Sequence, residues 1–149
     1  MILTMIPIEQ LKKLDHESKT KKYPSVPAHA IPRAKHNDTT ANGITRAVLS
    51  WLELKGHYAT RIQSQGQYQP KLKRWTKSTV KRGVGDISAV INGRSIMIEV
   101  KAGRDRQSEW QKQTQEQVEA SGGVYLLVRS FDDFHKWYVE FIADHTRGT

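Results

Sequence analysis

The chain has 149 residues, and its 24 Lys and Arg against 15 Asp and Glu leave a formal net charge of +9 and a sequence pI near 9.9. That length holds one domain with a real core and is too short for two ordinary ones, while the charge predicts a polyanionic partner, nucleic acid ahead of an acidic membrane. Zero cysteines exclude disulfides, thiolate nucleophiles and Cys-ligated zinc, so any metal must be held by oxygen or imidazole; oxygen ligands suit magnesium or manganese.

No stretch approaches the apolar length that spans a bilayer, and the opening MILTMIPI lacks the basic leader and cleavage site of a signal peptide, so a cytoplasmic location is expected. Residues 1–40 read as an arm: an apolar start, a helical turn at Ile8 to Leu14, and a polar segment punctuated by Pro24, Pro27 and Pro32. From Thr40 a helix is predicted, with Ile44, Val48, Trp51 and Leu52 at i, i+4, i+7 and i+8 and an end near Gly56. His57 to Ile62 reads as a strand. There follows QPKLKRWTKSTVKRG, a basic loop carrying Lys71, Lys73, Arg74, Lys77, Lys81 and Arg82 without one acidic residue. Such a run is either a solvated loop or a phosphate contact; Trp75 within it can stack on a base or anchor the loop to the core.

The segment GVGDISAVINGRSIMIEVK carries the strongest pattern. Two alternating apolar runs flank Asn92-Gly93, the best short-range signal for a tight hairpin turn. With Ile91 opposite Arg94, Asp86 falls opposite Glu99. Residues 86, 88, 90, 95, 97, 99 and 101 then share one face, and Ile87, Ala89, Ile91, Ile96, Ile98 and Val100 share the core face. Two carboxylates at cross-strand distance repel unless something neutralises them, and a divalent cation would do so. Lys101 adds an ammonium beside them, which makes a phosphodiester-cleaving constellation.

AGRDRQ then turns the chain, Ser108 to Ala120 reads as a helix closed by Gly122-Gly123, Val124 to Val128 as an apolar strand parallel to the Glu99 strand, and Ser130 caps a final helix bearing Phe131, Phe134, Tyr138 and Phe141. The order is helix, strand, hairpin, helix, strand, helix. Gln111, Gln115 and Val118 share a face of the crossover helix. Gln111 could serve Lys101 and a bound phosphate, or merely complete a capping box with Ser108.

The stretch from Asn42 to about Phe134, with Gly85-Asp86, Ile98-Glu99-Val100-Lys101 and Ser108-Glu109-Trp110-Gln111, resembles the PD-(D/E)XK nuclease superfamily, and within it the virus-type replication-repair nuclease domain, VRR-NUC. The resemblance implies an α/β restriction-endonuclease-like core, a mixed sheet flanked by helices; with the composition this gives a nuclease domain over residues 41–149 and an arm over residues 1–40, expected to take part in dimerisation. It implies an active site of Asp86, Glu99, Lys101 and Gln111 and a Mg2+- or Mn2+-dependent deoxyribonuclease of the stand-alone kind common in phages and bacteria. That form dimerises and cuts branched DNA such as four-way junctions or flaps. Asp86 and Glu99, with the Val100 carbonyl, would hold the ion. Gly85 stands where the superfamily name has proline, a change expected only to shape the start of the strand. Asn42 stands where relatives often carry an acidic residue on the first helix, so Asn42 and Gln115 are candidates for an additional site only. The competing class is a non-catalytic nucleic-acid-binding module that uses the basic loop and pairs its carboxylates with Lys101 and Arg82. A weaker third class is a basic assembly protein that exchanges its N-terminal arm between subunits.

Overall fold

A computed structural model describes residues 5–63 and 65–146; the Met1–Thr4 part of the apolar start lies outside the described residues. In chain order the elements are α1 (Pro7–Lys22), a 3-10 turn (Ala28–Ala30), α2 (Ala41–Leu54), β1 (Tyr58–Arg61), β2 (Gln67–Gln69), β3 (Arg74–Thr76), β4 (Ile87–Ile91), β5 (Arg94–Val100), α3 (Glu109–Ala120), β6 (Val124–Val128) and α4 (Phe131–Thr146). The main sheet runs β1-β4-β5-β6, and β2 with β3 forms a separate two-stranded ribbon.

Asn92 and Gly93 both sit in the left-handed region, at φ 49° and 77°, which a two-residue hairpin turn demands. The register that follows puts Ile91 opposite Arg94 and Ile87 opposite Ile98, as the alternation predicts. β1 joins the other edge of β4 antiparallel, and β6 lies parallel to β5 after the α3 crossover, so the sheet is mixed. Ile87, Ala89, Ile91, Ile96 and Ile98 are completely buried on one face. Ile44, Val48, Trp51 and Leu52 of α2 and Phe131, Phe134, Tyr138 and Phe141 of α4 close that core. Thr40 caps α2 by accepting the Gly43 N–H at 3.0 Å, and Ser130 accepts the Asp133 N–H at 3.1 Å at the start of α4.

Two regions differ from expectation. The helical turn in the predicted arm is a sixteen-residue helix, and its Ile8 and Leu11 enter the core against α2 and α4. Ile8 and Leu11 are its buried residues and Leu14 packs partly against the core, but from Asp15 to Lys22 the helix is polar, so its apolar stripe stops after two turns and periodicity reads only that short part. The basic loop supplies β3, which pairs with β2 at the loop's start to form a ribbon in which Tyr68 opposes Trp75. Its strands are short and polar, and lack the apolar alternation by which a strand is read.

Candidate active site

Asp86 immediately precedes β4. Its main-chain carbonyl accepts the Ile62 N–H at 2.8 Å, and its carboxylate Oδ2 accepts the Val100 N–H at 2.8 Å. The side chain is thereby tied to β5 across the end of the hairpin. Glu99 alternates with the core residues Ile98 and Val100, so its carboxylate leaves the sheet on the opposite face, yet the residue is only 3% exposed. α3 covers it there. Lys101 prolongs the β5–β6 pairing by donating its N–H to the Val128 carbonyl at 2.9 Å, which returns its side chain to the Glu99 face; its Nζ stands 3.3 Å from Glu99 Oε1.

Gln111 completes the capping box, and its free amide end reaches Glu99, a partner the spacing did not single out. Its Oε1 accepts the Ser108 N–H at 2.9 Å and Ser108 Oγ accepts the Gln111 N–H at 3.2 Å, a complete capping box. Its Nε2 donates to Glu99 Oε1 at 2.5 Å. Glu99 Oε1 thus receives both Lys101 and Gln111, while Oε2 is buried with no hydrogen-bond donor. Burial first, and the negative charge of Asp86 second, push the Glu99 carboxyl up to about 7 against the pull of Lys101 and Gln111. A buried carboxylate oxygen without a donor, beside a second carboxylate, is a donor set that a hard cation satisfies. Among the described residues no group of three or more His, Asp or Glu side chains is placed to hold an ion, so this centre is a pair of carboxylates.

The other candidates fall elsewhere. Asn42 accepts from the Arg61 guanidinium at 2.7 Å, and Arg61 opposes Ile87, so it leaves the sheet on the side away from Glu99. Gln115 is taken up by Gln107 and Glu119, each at 3.0 Å. The Val100 side chain belongs to the core, and only its main chain reaches the site. The six basic residues are all exposed but divide into two groups. Lys81 donates to Gln117 and the Arg82 guanidinium lies 5.5 Å above the Trp110 ring, so this pair is spread along α3, whereas Lys71, Lys73, Arg74 and Lys77 surround the ribbon. Asp86 faces a hollow of about 410 Å3 lined by Arg61, Gln63, Gln65, Gly66 and Gln67, residues that no sequence motif singled out.

Gly85 does more than shape the start of the strand. A Cβ there would stand 2.8 Å from the Ile98 carbonyl oxygen, which is backbone of the neighbouring strand, so proline would not fit without displacing β5.

No family model matches the sequence, and no curated protein matches it. Among solved structures, one described as a "VRR_NUC domain protein" superposes with a TM-score of 0.51 at 18% identity, covering 70% of this chain and 88% of that one. This chain shares the fold of that VRR_NUC domain protein. The likeness extends to an α/β core with a mixed sheet between helices, the architecture that the hairpin and crossover patterns predict. A fold is set by burial pattern and strand order, which many sequences satisfy, so the shape is matched at 18% identity where sequence comparison finds nothing. Among the described residues no helix is long and apolar enough to cross a membrane.

Proposed function

We propose that this protein is a metal-dependent DNA endonuclease that hydrolyses phosphodiester bonds, with Mg2+ or Mn2+ as its cofactor. The observation that carries the reading is Glu99: a buried carboxylate whose Oε1 is held by Lys101 and Gln111 and whose Oε2 has no donor, beside Asp86. Asp86, Glu99 and the Val100 carbonyl would hold the ion. When bound, the cation would polarise a phosphate oxygen and acidify a water. Lys101 would orient the attacking water and offset charge developing on the phosphorane. Gln111, fixed by its helix cap, would keep Glu99 Oε1 turned away from the ion so that Oε2 faces it. The exposed cations from Lys71 to Arg82 would take the DNA backbone. The resemblance to VRR-NUC nucleases favours branched DNA, flaps or four-way junctions, cut by a homodimer in the cytoplasm of a bacterial host.

The non-catalytic reading requires the carboxylates to form ordinary pairs with Lys101 and Arg82. Glu99 does pair with Lys101, but Arg82 lies over Trp110 and Asp86 accepts from the Val100 main chain, which favours the nuclease. The test is cleavage of duplex, single-stranded, flap and four-way-junction DNA in chelator, Mg2+ and Mn2+. Asp86→Ala should abolish turnover while DNA binding persists, and a fully active Asp86→Ala protein would refute the assignment. Sedimentation of the protein with and without residues 1–40 tests the proposed role of that segment in dimerisation.

A further inference from the structure

The β2–β3 ribbon carries two exposed aromatic rings that the core does not use. Tyr68 and Trp75 oppose each other across the ribbon, with ring centroids 5.8 Å apart and planes at 60°. Trp75 is 72% exposed and Tyr68 49%. Trp75 therefore does not anchor the loop, which was one of the two roles its position in the basic run left open. A ribbon of three-residue strands is marginal by itself in water. The rings meet each other edge to face, but their outer surfaces are left to solvent, so a flat ligand that stacks on them is their natural further partner.

Charge identifies that ligand's class. Lys71, Lys73, Arg74 and Lys77 flank Trp75 in the chain, Lys77 lines a hollow with it, and no acidic residue occurs from Ile62 to Gly85. A polyanion with flat apolar faces fits such a surface, and a nucleic-acid strand is that molecule. Position identifies what part of the strand reaches it. Gly66 lines both the hollow in front of Asp86 and a second hollow of about 610 Å3 walled by Trp75, Lys77, Lys81 and Arg82. The two hollows therefore meet at the root of the ribbon. A Cβ at Gly66 would collide with the Thr76 carbonyl oxygen, so the close approach that forms this junction depends on glycine. Bases inside a duplex are stacked on their neighbours and present only their edges, whereas an unpaired base offers a free face to an aromatic ring.

We propose that Tyr68 and Trp75 form a stacking site for an unpaired nucleobase next to the phosphate held at Asp86 and Glu99, so that the substrate is DNA with unpaired nucleotides beside the cut, in preference to continuous duplex. This rests on the nuclease reading for the position of the cut, but not for the stacking itself. The cations hold the strand, the rings take the base, and the run of the hollows carries the adjoining phosphate toward the carboxylates.

The experiment measures binding in chelator, where no cleavage can occur, of a continuous duplex and of the same duplex with a short single-stranded gap containing 2-aminopurine. Wild-type protein should bind the gapped DNA more tightly and change the 2-aminopurine emission on binding. In Trp75→Ala the preference for gapped over continuous DNA should fall about tenfold or more, the scale of base–aromatic stacking, and the emission change should be lost. Trp75→Phe should restore most of both. Because Trp75 packs on Tyr68 and is not part of the core, Trp75→Ala should keep the melting temperature of the domain. Equal affinity of wild-type protein for the two DNAs, or an unaltered preference in Trp75→Ala, overturns the proposal. So does a wild-type dimer that Trp75→Ala dissociates, since a second copy would then be what covers the rings. Asp86→Ala separates the two readings. If it still cleaves, the nuclease assignment falls and the stacking result stands; if it binds with the full preference and does not cleave, both stand.

Discussion

Gln111 Nε2 donates to Glu99 Oε1 at 2.5 Å while the same amide's oxygen accepts the Ser108 N–H that opens α3. The helix start and the buried carboxylate are therefore joined through one side chain, and the cap decides which end of the amide meets Glu99. Gln111→Ala removes both contacts. A lost capping interaction costs about 1 kcal/mol, and a hydrogen bond to a charged group contributes about 1.5–3 kcal/mol. Urea denaturation in chelator should show Gln111→Ala less stable by about 2 kcal/mol or more. Gln111→Glu can keep the cap but puts a second negative charge against Glu99, and its cleavage at neutral pH should fall by about tenfold or more.

Asp86→Asn separates charge from scaffold. An asparagine oxygen still accepts the Val100 N–H, so the strand should stay in place. The charge that helps push Glu99 up is gone, so Glu99 should ionise at lower pH than in wild type. The metal-free variant should be at least as stable as wild type at neutral pH, and its cleavage should fall by about a thousandfold. A large loss of stability measured by urea would contradict this division of roles.

The raised Glu99 carboxyl has a signed consequence for stability. Its folded value of about 7 exceeds the ordinary 4.5, so between those limits the native state holds a proton that the unfolded chain has released. Stability from this group is full below about pH 4.5 and is lost as pH rises through about 7. His36, His57 and His135 are held below their usual range chiefly by burial and act in the opposite sense. The difference between wild type and Glu99→Gln, followed by urea denaturation in chelator from pH 5 to 8, isolates the carboxylate: wild type should lose ground to Glu99→Gln as pH rises. Adding Mg2+ should reverse that loss, because a cation favours the ionised form and stabilises only the folded site.

Gly85→Ala tests the close approach of the chain to β5. The new methyl would press on the Ile98 carbonyl at 2.8 Å and on the Met97 side chain. Overpacking of this kind costs about 1–3 kcal/mol. Because the next residue is Asp86, cleavage should fall more than stability alone explains, measured at a temperature where the variant is still fully folded.

The two groups of cations should differ in their salt dependence. Replacing Lys73 or Lys77 by Ala should lower the slope of log affinity against log salt by about 0.9, the release expected for one phosphate contact on duplex DNA. Arg82→Ala also removes a guanidinium from the Trp110 ring, so it should loosen the segment against α3 as well. Proteolysis around Gly83 would report that second effect.

By itself the sequence determined the hairpin, its register and the core. Asn92-Gly93 and strict alternation are local signals, and apolar period translates directly into which face is buried. That placed Glu99 on the face away from the core and set Asp86 at the head of the adjoining strand. Ser108 and Ser130 likewise mark the starts of α3 and α4 through their own capping chemistry. Only the tertiary structure decided what depends on distant neighbours. Sequence spacing left Gln111 between a helix cap and a contact with Lys101 and phosphate; the cap is present, and packing that sets the helix start over Glu99 turns the other end of the amide to that carboxylate. The same packing removes Asn42 and Gln115 to other partners, divides the basic run in two, and buries Ile8 and Leu11 of a helix whose composition reads as polar. Burial of Glu99 is the deciding case. Its charge is written in the chain, but the desolvation that pushes it up and leaves one oxygen unpartnered arises only when α3 closes over β5.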